Sequence, residues 1–176
     1  MKALLLLPLA LLLGCKKDAP APADQLPPAT QTGANAFGCL LNGQPWTPQG
    51  YNSRPNFIVT YDPGYRGGNL QVRVYRYPDG AAHEQYLIFG GNRIAQPGSY
   101  PLVLSGDREA FFADLAREAP CKEFLEAPSL TYRTGTLTVT RLDLARGVIA
   151  GTFAFTLYRP GCDTIKVTQG RFDKKL

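Results

Sequence analysis

Histidine is almost missing from this chain, long apolar runs are absent, and the usual settings of catalytic residues do not occur; each absence removes a class of function. His83 is the single histidine among 176 residues, which excludes a histidine-rich metal site. The four serines, Ser53, Ser99, Ser105 and Ser129, lie in no Gly-x-Ser-x-Gly elbow and no Ser-x-x-Lys, so covalent serine catalysis has no support. No two cysteines have Cys-x-x-Cys spacing, which leaves neither a zinc knuckle nor a redox motif. Asp62-Pro-Gly and Gly106-Asp107 lack the repeated acidic spacing of a calcium loop. The glycines at 64–68 and 90–91 precede no Gly-Lys-Ser/Thr and read as turns or bulges rather than phosphate loops. No cofactor is implied. The apolar run at residues 3–13 is interrupted by Pro8 and falls well short of the roughly 20 residues that span a bilayer.

That short run has another reading. Lys2 supplies a positive start, residues 3–13 an apolar segment, and Leu12-Leu13-Gly14-Cys15 ends it with a small residue before a cysteine. Residues 1–14 thus read as a lipoprotein signal peptide, with Cys15 as the acylated mature N-terminus. Two or three acyl chains, each contributing about 0.8 kcal/mol per buried CH₂, anchor a protein stably to a bacterial membrane, on its periplasmic side or at the cell surface. Pro20, Pro22, Pro27 and Pro28 then stand among alanines and polar residues, so residues 15–35 read as the lipidated cysteine and an extended tether. At about 3.1 Å per residue, such a tether reaches roughly 60 Å. Residues 36–176 remain to form one β-domain.

The formal charge of +5 becomes +4 when Lys2 leaves with the signal peptide. The basic residues are dispersed from Arg54 to Lys175, a pattern that suits a solvated surface or contact with anionic envelope glycans or headgroups and not a nucleic-acid stripe. With Cys15 lipidated, Cys39, Cys121 and Cys162 remain, enough for one disulfide in an oxidising compartment. Cys121 and Cys162 sit in turn-like Ala-Pro-Cys-Lys and Pro-Gly-Cys-Asp, whereas Cys39 shares a strand face with Phe37 and Leu41. The expected pair is therefore Cys121 with Cys162, with Cys39 a small buried thiol.

From Ala36 onward the apolar period is two. Leu70, Val72 and Val74 alternate with polar residues, as do Leu137 and Val139; Ile149, Gly151, Phe153, Phe155 and Leu157 form the most regular face. Asn42-Gly43 fits a type I′ hairpin turn, and a one-residue slip before Phe172 marks a bulge at Gly170. Eight or nine short strands with turns between them predict an all-β antiparallel sandwich or small barrel with at most one short helix. Residues 107–118 fit a helix as well as a strand, because Phe111, Phe112 and Leu115 have helical spacing.

The opening Ala36-Phe-Gly-Cys-Leu-Leu-Asn-Gly-Gln-Pro-Trp46, with Thr134-Gly-Thr-Leu-Thr-Val-Thr-Arg-Leu-Asp143, Gly151-Thr-Phe-Ala-Phe155, Gly161-Cys-Asp-Thr and Thr168-Gln-Gly-Arg-Phe172, resembles the small uncharacterised β-rich lipoproteins of Bacteroidetes-type bacteria. The resemblance spans most of residues 36–176 and implies an envelope location, an all-β domain and a strand around Phe111. It brings no catalytic residues.

Tyr-Arg recurs at residues 65–66, 75–76, 132–133 and 158–159, but neighbouring strand residues face opposite sides. The candidate binding face is instead Arg73 with Tyr75 and Tyr77, which alternate on one side; rings stack on sugars and guanidinium forks grip carboxylates. The leading expectation is a lipid-anchored, non-enzymatic envelope β-domain that binds or packs against an envelope protein or glycan. An apolar-ligand carrier with an enclosed barrel cavity is the alternative. Behind both stands a hydrolase built on two of the scattered carboxylates, which include Glu84, Glu109, Glu118, Glu123 and Glu126.

Overall fold

The computed structural model describes residues 20–80, 83–103, 107–124 and 132–176, so Cys15 and the expected signal peptide at 1–14 lie outside the described residues. Among the described residues, eleven strands form two antiparallel sheets that face each other as a sandwich and do not close into a barrel. Sheet A runs β2 (Gln44–Trp46), β1 (Ala36–Leu41), β11 (Ile165–Lys175), β10 (Val148–Tyr158), β9 (Tyr132–Asp143) and β6 (Gly98–Pro101). Sheet B runs β3 (Phe57–Asp62), β4 (Asn69–Arg76), β5 (Gln85–Gly91), β7 (Arg108–Asp114) and β8 (Glu123–Phe124). The strand count exceeds the expected eight or nine because β2, β6 and β8 have 3, 4 and 2 residues, too few to show a period.

The regular faces point inward as expected. Ile149, Phe153, Phe155 and Leu157 are buried, opposite Val72, Val74, Leu87 and Phe89 of sheet B. Phe89 meets Phe153 across the sheets with centroids 4.2 Å apart, and Phe37 stacks on Phe153 at 5.3 Å, so aromatic rings occupy the centre. Asn42 and Gly43 have φ of 48° and 81°, the two left-handed positions of the I′ turn. The bulge lies before Gly170, at Thr168 and Gln169, and not at the glycine itself. Phe153 pairs with Gly170 and Phe155 with Val167, and Gln169 absorbs the extra residue at φ 50°. A Cβ on Gly170 would run into the Phe153 ring, so this glycine leaves the space that ring occupies.

Within 107–118 the structure has strand β7 over Arg108–Asp114, followed by a turn. Ala110 and Phe112 are fully buried while Glu109 and Phe111 point to the outer face, and pairing to β5 over seven positions outweighs the helical spacing. Among the described residues the only helical element is the 3-10 turn Pro22–Gln25.

One expectation needs correction. Residues 26–35 are docked on the sandwich rather than extended as a spacer. Leu26 is buried, a Cβ on Gly38 would press on Pro27, and Arg171 Nη1 donates to the Pro27 carbonyl at 3.4 Å. Asp173, 1 % exposed, then collects the segment: its carboxylate accepts from Thr30 Oγ1 at 2.6 Å, Thr32 N at 2.9 Å, Gly33 N at 2.7 Å and Ala34 N at 3.1 Å. Docking takes roughly 30 Å from the extended length expected of the tether. Proline-rich composition describes a chain without its own core, and is silent about a carboxylate some 140 residues away that can hold it.

Candidate functional site

The strands of sheet B put three rows of side chains on its outer face. Register aligns Gln71, Gly90 and Glu109 in one row and Arg73, Ile88 and Phe111 in the next; Asn69 pairs with Asp62 at the far end. Gly90 interrupts the first row and Gly91 follows it, with φ of 128° and 140°. A Cβ on Gly90 would strike the carbonyl of Leu70, and one on Gly91 that of Asp107, so only glycine fits. Beside them lies a cleft of about 290 Å³, at the small end of ligand sites.

Ile88 and Phe111 supply its apolar surface, and Arg66, Asn69, Gln71, Asn92, Asp107 and Glu109 its polar groups. Most of these are half engaged. Asn69 Nδ2 donates to Asn92 Oδ1 at 2.8 Å, which leaves Asn69 Oδ1 and Asn92 Nδ2 without a partner among the described residues. Gln71 Oε1 accepts from Arg73, leaving its Nε2 free in the same sense. Glu109 Oε2 accepts from Arg133 Nη1 at 3.1 Å, and Asp107 Oδ2 pairs with Arg93 Nε at 3.0 Å, so each carboxylate keeps a second oxygen. Donors and acceptors thus alternate around an apolar patch, the arrangement that matches a hydroxyl, which both donates and accepts.

Arg133 enters from the other sheet. It is 3 % exposed, lies 4.7 Å over the Phe111 ring, and its Nε has no partner. Packing of this buried cation under the cleft wall fixes Phe111 and Glu109 together, which sequence spacing could not reveal.

Arg73, Tyr75 and Tyr77 were expected to form a binding face. Arg73 is exposed and borders the cleft through Gln71. The two rings, however, are covered. Tyr75 and Tyr77 are 9 % and 2 % exposed and stack at 6.3 Å; Arg54 lies 4.5 Å over Tyr75 and donates to Tyr77 Oη at 3.2 Å. Glu84 anchors that arginine at 3.0 Å. The tyrosines are thus closed to a ligand because the segment before β3 covers them, and the open cleft on this face is the one at Gly90.

Cys121 and Cys162 are joined, with Cα atoms 5.5 Å apart. Cys39 is free and buried, and burial pushes its thiol up to about 12. His83 belongs to a separate network: its Nε2 is 2.9 Å from Asp114, Gln85 Nε2 donates to the same carboxylate at 2.9 Å, and Trp46 Nε1 donates to Gln85 at 3.0 Å. Burial works against the Asp114 charge, but bonds from His83, Gln85 and Ala116 N outweigh it and hold the carboxyl below its usual range. The network ties the edge of sheet A to β5 and β7 of sheet B. Its histidine nitrogens face Asp114 and, at 3.6 Å, Asp79.

Two further clefts are more open. One, of about 470 Å³, is a trough of Thr136, Thr138, Thr152 and Ala154 on the outer face of sheet A; the other, of about 550 Å³, lies beside the disulfide. Comparison of the chain with protein-family models, with curated proteins and with solved structures finds no match in any of the three.

Proposed function

We propose that this protein is a lipid-anchored, non-enzymatic β-sandwich of the bacterial cell envelope that binds a glycan in the cleft at Gly90-Gly91. The observation that carries the reading is the lining: half-satisfied amides and carboxylates around Ile88 and Phe111, where a sugar can set its hydroxyls on polar groups and its C–H face on apolar ones. The signal at Leu12-Leu13-Gly14-Cys15 supports the envelope location, and the resemblance to β-rich envelope lipoproteins agrees with it. Rings packed between the sheets favour a surface site over the enclosed cavity of a carrier.

A hydrolase needs two carboxyl groups that flank the scissile bond. Asp107 and Glu109 are the two carboxylates that line the cleft. Both nonetheless occupy one wall, and each is bound to an arginine. Binding is the better use of such groups. The test is calorimetric titration of the purified lipoprotein in detergent with a panel of neutral and acidic envelope saccharides. At least one should bind, and Gln71→Ala or Asn92→Ala should each weaken it about tenfold, the value of one well-made hydrogen bond. Silence across the panel, or binding that ignores both substitutions, refutes the site; release of reducing sugar refutes the non-enzymatic assignment.

A further inference from the structure

Resting on the glycan reading, we infer that the sugar residue in the cleft carries a carboxylate and that Arg66 receives it. Besides Arg66 in its lining, four arginines bond residues of the cleft, against Asp107 and Glu109, and all four are committed; Arg73 donates to Gln71. Arg93 pairs with Asp107 at 3.0 Å and Arg133 with Glu109 at 3.1 Å. Arg108 donates to the carbonyls of Asn92 at 3.1 Å and Pro101 at 3.3 Å. Arg66 alone makes no hydrogen bond or ion pair through its guanidinium among the described residues; that group lies 5.4 Å over the Tyr65 ring. Asp62, at the base of the same turn, is turned to the backbone, accepting from Gly64 N at 2.9 Å and Tyr65 N at 3.2 Å.

The backbone adds an independent observation. Arg66 has a φ of 48°, in the left-handed region where glycine or asparagine fits at less cost, and Gly67 and Gly68 follow it. Its carbonyl accepts from Arg93 N at 3.2 Å, which locks the turn to the end of β5. A strained non-glycine residue at the rim of a cleft points to a use for its side chain. The tyrosine ring holds the guanidinium plane by a cation–π contact, which leaves the fork free for bidentate binding of a carboxylate.

The cleft's own carboxylates do not cancel this attraction. Both are neutralised by their arginines, and Glu109 on β7 lies two strands from β4, roughly 10 Å across the sheet from the side on which Arg66 enters. Arg73, exposed beside Gln71, adds a second cation at the border.

The test titrates the intact lipoprotein in detergent with a galacturonate trisaccharide and with its neutral galactose counterpart. The acidic sugar should bind at least tenfold tighter, and its advantage should shrink as salt is raised. Arg66→Gly removes the guanidinium while relieving the left-handed strain, so it should fold normally and bring the acidic sugar down to the affinity of the neutral one. Arg66→Lys should retain part of the preference, because it keeps the charge without the fork. Equal affinities for the two sugars, or an acid preference that survives Arg66→Gly, overturns the inference and leaves glycan binding standing. Binding of neither trisaccharide also overturns it, and if the wider saccharide panel is silent too, the cleft reading fails with it.

Discussion

Replacing Asp173 should detach the N-terminal segment from the sandwich, and the cost can be worked from the contacts. The carboxylate is 1 % exposed and accepts short bonds from Thr30, Thr32, Gly33 and Ala34. Hydrogen bonds to a charged group contribute roughly 1.5–3 kcal/mol each, but here the freed donors lie near the surface and regain water. A net loss of about 3 kcal/mol is therefore expected for Asp173→Asn. At about 2–4 °C per kcal/mol for a domain of this size, Tm should fall by about 6–12 °C. The pH dependence has a definite sign. Burial works against the Asp173 charge, but the bonds from the docked segment outweigh it and hold the carboxyl below its usual range. Its stabilisation is complete above the ordinary carboxylate range and disappears as pH falls through the lowered value, so the gap between wild type and Asp173→Asn should be widest near neutrality and close in acid. Thermal denaturation across pH, with amide exchange at Thr32, Gly33 and Ala34, measures both effects. Equal melting temperatures at neutral pH, or wild-type amides exchanging as fast as an unstructured peptide, would refute the docking.

Phe155→Ala should cost about 3–5 kcal/mol, because its ring lies 6.2 Å from both Phe89 and Phe153 in the filled centre; an unchanged denaturation midpoint would count against that packing. Opening the Cys121–Cys162 bridge, whose cysteines are 41 residues apart, should cost about 4 kcal/mol by loop-closure entropy, as Cys121→Ser with Cys162→Ser would show in urea. Cys39, buried and raised to about 12, should resist iodoacetamide at pH 8 until the protein unfolds; prompt labelling of the native protein would contradict its burial. Cys15→Ser should abolish incorporation of radiolabelled palmitate, and equal labelling of the variant would refute lipidation at that residue.

What could be read from the residues alone is local. Alternation in Ile149, Phe153, Phe155 and Leu157 declares a buried strand face because successive side chains point to opposite sides. Asn42-Gly43 declares its turn through the φ it tolerates, and the slip before Phe172 declares the bulge. Even the disulfide was legible, since two cysteines lay in turns and the third in a strand. The strand at Phe111 was not, because two adjacent phenylalanines satisfy either period until β5 is seen to pair with them. Nor could sequence show that β1 lies beside β11, that Asp173 gathers a proline-rich segment, or that Arg54 covers Tyr75 and Tyr77. The cleft is the fullest case. Gly90 and Gly91 read as a turn or bulge, and only the register of β4, β5 and β7 places Gly90 between Gln71 and Glu109 in the lining of one cleft. Periodicity and turn chemistry act between neighbours in the chain, so sequence carries them; partners more than a dozen residues apart are chosen by how the two sheets pack, and that choice exists only in the folded chain.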